Sequence, residues 1–314
     1  MATAPSWRPS PGQALTAFGA GLLLAGAFPG WSIWPLSLVA LAPLIYLCYQ
    51  LPFRPAFTCG WLFGLAQGLA QLYWLVVVMT TYGGMNWPLA MVIFILFMMF
   101  LALYPACAAA LTAYARQGGI TPLLTGPLAW AGAEWAKGWI LSGFPWTPLG
   151  NSLTPALPLL QSAELWGAGG LSALMVLINS LGARTALGIR RKRNLGASEA
   201  GAAVLALALI LAGWWWGGLR LDRVRAEVGA APKMAVTVVQ GDVDIYDMWN
   251  PVKRLDIVKS HVKLTQEAAA SVTSRPWLVV WSESAAPFYM FAEARPTLPI
   301  LEAARELGAY IFTG

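Results

Sequence analysis

The sequence predicts a polytopic α-helical membrane domain of about seven spans, followed by the first part of an α/β domain. Two observations support this fold class. Of the 314 residues, 58% are hydrophobic and only 11% are charged, which lies outside the range of ordinary soluble domains. The acidic residues are also unevenly placed, because none precedes Glu134 and most follow Gly218. We therefore predict a transmembrane helical domain over residues 1–219 and a polar domain over residues 220–314.

Apolar segments fill the first part of the chain, and a helix needs about 20 residues to cross a bilayer. The predicted spans are 14–28, 33–50, 58–79, 88–115, 123–141, 160–187 and 201–219. The first two are short, so we expect them to be tilted or to extend into their loops. Cleavage of a signal peptide is not expected, because further apolar segments follow at once.

Basic residues set the predicted orientation. If Arg8 is cytoplasmic, alternate connections place Arg54, Arg116 and the cluster at 190–193 on the same side, as Lys and Arg prefer. We interpret that cluster, Arg190-Arg191-Lys192-Arg193, as a topology anchor and not as a nucleic-acid site. An odd number of crossings then delivers the residues after about Leu219 to the outer face, which is the periplasm in a Gram-negative cell.

The polar domain shows a β-α-β-α-β pattern. Strands are predicted at 235–240, 277–281 and 310–312, and helices at 252–272 and 296–307. The apolar face of the first helix is predicted to contain Val252, Leu255, Val258 and Val262. His261 lies among lysines in that helix, and we expect it on the surface.

Glu283 is the candidate catalytic residue. It follows the apolar run from Trp277 to Trp281, and Pro287 with the small residues before it ends that strand in a loop. In α/β architectures, ligands and chemistry gather where loops leave the carboxyl ends of the strands. We expect Glu283 to be partly shielded from water there, so that it can serve as a base. An acid that caps a local turn is the alternative.

Two separated motifs of the chain are distinctive. The first is Glu134-Trp135-Ala136-Lys137-Gly138-Trp139, followed by Gly143-Phe144-Pro145-Trp146 and Leu149-Gly150. The second is the Trp-Ser-Glu-Ser-Ala-Ala-Pro run that ends at Pro287, together with Val-Val-Gln-Gly-Asp from Val238 and Asn-Pro at Asn250. In this order they resemble the bacterial apolipoprotein N-acyltransferases, and the resemblance covers nearly the whole chain. It implies that residues 220–314 are an incomplete nitrilase-like domain of the carbon-nitrogen hydrolase type, on the periplasmic side.

The implied function is the last step of lipoprotein maturation in the bacterial inner membrane. A fatty acyl group would pass from a phospholipid to the N-terminal diacylglyceryl-cysteine of an apolipoprotein. A cysteine thioester would carry the acyl group, a lysine would stabilise the oxyanion, and Glu283 would be the base. In the family, that lysine and that cysteine follow the part of the chain that corresponds to residue 314. We therefore expect the 314 residues alone to be inactive.

The candidate substrate-binding residues are Lys137, Gly143, Trp146 and Trp249. Lys137 lies near the outer end of the fifth predicted span, where it would meet a lipid phosphate. A mutual ion pair with Glu134 is the alternative. The family usually has arginine there, so lysine keeps the charge but loses the bidentate fork. Gly143 and Trp146 belong to an outer loop that would contact lipid, with a generic aromatic belt as the alternative. Trp249 belongs to a loop that, by resemblance, helps to admit lipid, with a core position as the alternative.

No cofactor and no metal are expected. The chain has neither the Cys and His spacing of a zinc site nor a glycine-rich nucleotide loop. Cys48, Cys59 and Cys107 sit in or beside apolar spans, and we interpret them as packing residues. The expected partners are a phospholipid donor, an apolipoprotein acceptor and the lipid bilayer, without nucleic acid, and we expect a monomer.

Two alternatives stay open at this point. One is a membrane-tethered nitrilase-like amidase, since that superfamily shares the strand that ends in glutamate. The other is a non-catalytic membrane scaffold for a partner enzyme. A reading frame that continues past Gly314 into segments with the lysine and the cysteine would favour the acyltransferase.

Overall fold

The computed structural model of the chain describes residues 6–192 and 196–314. They divide into two compact units, a first that ends at Ala226 and a second from Glu227 to Gly314. The domain boundary predicted after residue 219 stays a prediction. Arg193 of the basic cluster lies outside the described residues.

The described part of the first unit is built from α-helices joined by short turns. They are α1 (Pro11–Ala25), α2 (Ala42–Cys48), α3 (Phe53–Gln71), α4 (Trp74–Val77), α5 (Trp87–Leu101), α6 (Leu103–Gln117), α7 (Pro122–Lys137), α8 (Leu157–Gln161), α9 (Ala163–Arg190) and α10 (Ala197–Ala230). A 3-10 turn at Trp34–Leu38 precedes α2, and a π-helical turn at Val78–Tyr82 follows α4.

By length and composition, three helical stretches of the described chain could cross a membrane: Trp87–Gln117, α9 and α10. A fourth is added if α3 and Trp74–Tyr82, bent by 54°, count as one span. The helices α1 and Trp34–Cys48 are apolar but shorter. These features are compatible with a helical membrane domain. The number of crossings, predicted as seven, stays a prediction.

The stretch predicted as a span at 33–50 is not one continuous helix. The 3-10 turn ends at Leu38, and backbone amides soon after it bond to a side chain of α9. Oδ1 of buried Asn179 accepts from the amides of Leu41 and Ala42 at 3.0 and 2.8 Å. Nδ2 of Asn179 donates to the carbonyl of Ser37 at 2.7 Å. The side chain of Asn179 therefore stabilises the non-helical residues between Leu38 and Ala42, and hydrophobic periodicity in the sequence does not indicate this role.

Glycines let α3 approach α6 closely. Gly60, Gly64 and Gly68 recur at every fourth position of α3 and face the α5–α6 region. A Cβ on Gly60 would lie 2.6 Å from the carbonyl oxygen of Pro105 and 2.7 Å from Cα of Ala106. Small residues at such spacing allow helix backbones to pack together in membranes. This contact brings the polar end of α3 beside α7.

The second unit contains β1 (Ala235–Val239), α11 (Ile245–Met248), α12 (Arg254–Ala269), β2 (Trp277–Trp281), α13 (Ala294–Leu307) and β3 (Ala309–Phe312). The strands form one parallel sheet in the order β1-β2-β3, so β2 is central. The predicted succession of strands and helices is confirmed. Only α11, a short helix after β1, was not predicted.

The two faces of this sheet differ. On one face, Trp277 and Val279 of β2 pack with Val258 of α12 and Ile300 of α13 in a buried core. The opposite face is apolar but open. Its side chains Val236, Val238, Tyr310 and Phe312 are 53%, 76%, 69% and 66% exposed. Parallel sheets are usually covered on both faces.

The prediction that His261 is a surface residue was wrong. Its side chain is only 1% exposed, and its ring lies 5.1 Å from the ring of Trp281. The buried stripe of α12 contains Ile257, Val258, His261 and Thr265. Val252, predicted on that face, precedes the helix and is 84% exposed. The lysines beside His261 in the sequence point to other sides of the helix, whereas Ile257 and Val258, four and three residues before it, share its buried face.

Candidate functional site

The last turn of α7 leads into a constrained loop. Residues 143–148, Gly-Phe-Pro-Trp-Thr-Pro, are named the aromatic loop. Gly143 has φ +80°, and a Cβ there would collide with the backbone carbonyl of Gly138. The non-glycine residues Leu141, Ser142 and Thr147 also have positive φ, at 54°, 74° and 59°. Such conformations cost energy and persist only where surrounding contacts enforce them. They also explain why α7 ends at Lys137 and not at the predicted residue 141.

Lys137 and Glu134 form hydrogen bonds with the backbone of the aromatic loop and of the residue that follows it. The backbone amide of Phe144 donates to the carbonyl of Lys137 at 2.8 Å, and Nζ of Lys137 donates to the carbonyl of Trp146 at 2.8 Å. Oε1 of Glu134 accepts from the amide of Leu149 at 2.7 Å. Among the described residues, the two side chains form no ion pair with each other. Lys137 is bonded to the loop and Glu134 to Leu149, the residue directly after it, so the ion-pair alternative is not observed.

Aromatic rings extend the loop into an apolar surface. The ring of Trp146 lies 5.1 Å from that of Trp74 and is stacked with Phe144 at 5.9 Å. Phe144 in turn meets Phe97 edge-on at 5.1 Å. Trp146 nevertheless remains 52% exposed. The loop therefore presents a supported aromatic side chain at the end of a helix.

The structure brings together Lys137, Gly143 and Trp146 of the predicted set. It also adds residues that the sequence analysis missed. Gln67 and Gln71 of α3 line a cavity together with Glu134 and Lys137. Two amide side chains four residues apart in an apolar helix were the signal that could have identified them.

Glu283 lies two residues beyond the end of the central strand β2, in a turn. This is the carboxyl edge of the sheet, as predicted. The next residue, Ser284, has φ +59°. The side chain of Glu283 is exposed and has no hydrogen bond or ion pair to any described residue. The expected shielding from water is therefore not provided by the described part of the chain.

Trp249 follows the short helix α11 and is 63% exposed. It lines a cavity of about 460 Å³ together with Arg254, Ser284 and the segment 286–289. The loop of Trp249 and the segment after Glu283 thus share one cavity. Glu283 itself is not among the lining residues.

Metal ligands and thiols give no further site in the described chain. No group of three or more His, Cys, Asp or Glu side chains placed to hold a metal ion occurs within residues 6–192 and 196–314. Cys48 and Cys59 are buried, as packing residues would be, whereas Cys107 is exposed on α6.

Comparisons with known proteins agree with the sequence motifs. A family model described as the apolipoprotein N-acyltransferase N-terminal domain matches residues 20–181, which include α7 and the aromatic loop.

Curated relatives match over most of this chain. The apolipoprotein N-acyltransferase of Geobacter metallireducens is 36% identical over 293 residues, 93% of this chain and 55% of the relative. That of Methylococcus capsulatus is 31% identical over 303 residues, 96% of this chain and 57% of the relative. That of Brucella suis is 29% identical over 311 residues, with 96% and 56% covered. The chain spans about half the length of the curated relatives it matches. The family model and these relatives together show that the chain belongs to the apolipoprotein N-acyltransferase family.

Proposed function

We propose that the chain takes part in transferring a fatty acyl group from a phospholipid to the N-terminal diacylglyceryl-cysteine of apolipoproteins. The observation that carries this proposal is the arrangement at the end of α7. There Nζ of Lys137 donates to the carbonyl of Trp146, and the amide of Phe144, the residue after Gly143, donates to the carbonyl of Lys137, within the region that the family model matches. The proposed acyl donor is a lipid, and this arrangement combines a cation with an aromatic surface.

Lys137 is the proposed contact for the lipid phosphate. Its ammonium has three donors and uses one on the carbonyl of Trp146. The remaining donors can bond to phosphate oxygens without loss of that contact. Lysine acts on phosphate as a point charge and does not form the bidentate fork of arginine. The hydrogen bond to the loop offsets the absence of that fork, because it fixes the position of the ammonium relative to Trp146.

The aromatic loop is the proposed contact for the rest of the donor lipid. Trp146 is half exposed, yet its ring is supported by Trp74 and Phe144. Amphipathic rings favour the headgroup level of a bilayer. We infer that Trp146 lies against the glycerol and upper acyl region of a phospholipid whose phosphate meets Lys137. Gly143 makes this possible, because no other residue fits its backbone conformation without strain.

Glu283 is the proposed general base. In the longer chains of the family, it would take the proton of the cysteine thiol, and the thiolate would attack the ester carbonyl of the phospholipid. A carbon–sulfur bond forms, the ester carbon–oxygen bond breaks, and the released lysophospholipid alkoxide takes the proton from Glu283. The amine of the acceptor then attacks the thioester. A carbon–nitrogen bond forms as the carbon–sulfur bond breaks, and the amine proton returns through Glu283 to the thiolate.

Trp249 is the proposed admission point for lipid in the second unit. It is exposed at the edge of a 460 Å³ cavity that the segment after Glu283 also lines. An exposed tryptophan at a cavity rim suits a role in contact with an amphipathic substrate. The cavity is large enough for part of an acyl chain or for a short peptide segment.

We also propose that residues 220–314 are the first part of a nitrilase-like domain. The open sheet face of Val236, Val238, Tyr310 and Phe312 supports this, because parallel sheets are usually covered on both faces. The curated relatives are nearly twice as long as the matched region. Their further length supplies protein that can cover such a face and complete the site around Glu283.

The proposed topology has seven crossings in the bacterial inner membrane, with the second unit in the periplasm. The short and broken helices α1 and Trp34–Cys48 would then count as crossings beside the longer ones. A reporter fused after Arg193 should report a cytoplasmic position, and one fused near Ala231 a periplasmic position. If both reporters lie on the same side, the proposed count is wrong.

The function itself is tested by an acyl transfer assay. The protein, extended to the length of its relatives, is placed in bilayers with phospholipid and a peptide that begins with diacylglyceryl-cysteine. We expect an N-acylated peptide and a lysophospholipid in equal amounts. Hydrolysis of a small amide without acyl transfer would favour the amidase alternative. Neither product, with a folded protein, would favour the scaffold. The names of the relatives favour neither alternative.

A further inference from the structure

A polar cavity lies inside the helical unit, between α3, α6 and α7. Its volume is about 60 Å³, and its polar lining residues are Gln67, Gln71, Tyr104, Glu134, Lys137 and Thr147 of the aromatic loop. Glycines of α3 and Pro105 of α6 close it with backbone and apolar surface. A water molecule needs about 10–15 Å³ of such volume, so the polar cavity has room for several.

Two polar atoms in this wall lack a protein partner. Oε2 of Glu134 and Nε2 of Gln71 are buried and have no hydrogen bond to any described residue. The side chain of Gln67 does not provide the partner, because its Nε2 donates to Oε1 of Gln71 at 3.3 Å and leaves Nε2 of Gln71 without an acceptor. One of the two atoms is an acceptor and the other a donor. Leaving such atoms without partners in an apolar unit is costly. A water or hydroxyl that accepts from Gln71 and donates to Glu134 would satisfy both.

The other carboxylate oxygen of Glu134 faces the loop. Oε1 accepts from Nε1 of Trp130 at 2.9 Å and from the amide of Leu149 at 2.7 Å. Leu149 directly follows the aromatic loop, while Lys137 holds its interior through Trp146. Glu134 therefore connects the polar cavity with the end of the loop.

We propose that the polar cavity binds water between Gln71 and Glu134, and that Glu134 is a positioning residue for the aromatic loop. A carboxylate suits this place because it accepts on both oxygens at once, one toward the loop and one toward the cavity. The consequence for lipid binding rests on the proposed function above. The hydration of the cavity and the bond to Leu149 do not.

The first test measures hydrogen exchange at the amide of Leu149 by mass spectrometry, with the 314-residue chain in lipid nanodiscs. Glu134→Ala removes the acceptor, so exchange at Leu149 should become about tenfold faster or more. Glu134→Gln keeps an acceptor oxygen at the position of Oε1, so its exchange should stay close to that of the parent. Glu164→Gln is the matched control, because Glu164 is an exposed carboxylate that pairs with Arg220 and lies outside the polar cavity and the aromatic loop. Equal exchange in Glu134→Ala and the parent would overturn the positioning role.

The second test probes water in the cavity and does not require Glu134→Ala to fold. Gln71→Cys is made in a chain with Cys107→Ser and treated with a small water-soluble methanethiosulfonate reagent. The native thiols of Cys48 and Cys59 are buried and serve as dry internal controls. The thiolate is the reactive form of cysteine, and it forms readily only where water can solvate its charge. The thiol introduced by Gln71→Cys should therefore be modified at least about tenfold faster than either control. Modification at the same slow rate would show that the cavity is dry and would overturn its assignment.

The third readout links positioning to lipid use in the longer chain. Glu134→Ala should raise KM for the phospholipid about tenfold and leave kcat within about threefold, with rescue by Glu134→Gln. If no variant or parent transfers acyl groups while exchange at Leu149 behaves as expected, the proposed function fails and the positioning role stands. If transfer occurs with an unchanged KM in Glu134→Ala, the loop position is not used for lipid binding.

Discussion

The two candidate sites of this chain are built to different degrees. At the end of α7, every predicted binding residue is already fixed: Lys137 is bonded to Trp146, and Gly143 sits in a backbone conformation that excludes a side chain. At the end of β2, Glu283 is exposed and has no partner among the described residues. One candidate site is a set of residues bonded to one another, and the other is a single acid in the turn that follows a strand.

The two candidate sites also differ in how far the described residues of their own unit surround them. The helical unit satisfies its loop with its own residues, through Glu134 and Lys137. The second unit leaves one sheet face open, with Val238 76% exposed. A base needs partial shielding and a nearby proton donor to act in catalysis. The first site should therefore respond to mutation in the 314-residue chain, whereas the second should respond only in a longer chain.

The largest expected effect is that of Glu283→Gln in the longer chain. The amide keeps the shape of the side chain but cannot take a proton, so thioester formation should fall about 10²-fold or more. Folding should be unchanged, because the side chain is exposed. Glu302→Gln is the matched control, an exposed glutamate on α13 of the same unit. Mass spectrometry of the acylated cysteine gives the rate, and a parent-like rate in Glu283→Gln would remove it from the mechanism.

The next effect concerns Lys137, at the site that is already arranged. In the longer chain, Lys137→Ala loses both the cation and the bond to the carbonyl of Trp146, so KM for phospholipid should rise about tenfold. Lys137→Arg keeps a cation and gains a fork for phosphate, so its KM should stay near or below that of the parent.

Lys233→Ala controls for loss of a charge. Its ammonium also donates to a backbone carbonyl, that of Val228 at 3.1 Å, but on an exposed surface. Equal KM values in all the Lys137 variants would assign Lys137 to loop structure alone.

The elements of the second unit could be predicted because their local patterns are strong. β2 begins at Trp277 and ends at Trp281, as expected from a β-branched and aromatic run. His261 was misplaced because the prediction relied on its lysine neighbours, whereas its helical spacing from Val258 and Thr265 places it on the buried stripe. The network of Glu134 could not be predicted, since its partner Leu149 is 15 residues away and offers only a backbone amide. Sequence patterns report side-chain types, while this site depends on backbone groups.

Gly143→Ala tests whether the arranged loop depends on its glycine. The substitution combines a positive φ with a collision against the carbonyl of Gly138, so the free energy of unfolding should fall by about 2–3 kcal/mol. Gly84→Ala is the control, because Gly84 also has positive φ, at 61°, but open space around its Cα. Its cost should be about 1 kcal/mol. Denaturant titration in detergent measures both. Equal losses would show that the loop moves away from Gly138 at little cost.

The smallest expected effect is at the open sheet face. Val238→Thr changes a side chain that is 76% exposed, so in the 314-residue chain the free energy of unfolding should change by no more than about 0.5 kcal/mol. Val279→Thr makes the same chemical change on the buried face of the same sheet, at 0% exposure, and should cost about 1–3 kcal/mol. In a longer chain that covers the open face, Val238→Thr should approach the cost of Val279→Thr. Denaturant titration of these variants and of the two parent chains gives these differences. If Val238→Thr remains neutral in the longer chain, that chain leaves the face open, and the contacts that complete the site of Glu283 must come from another direction.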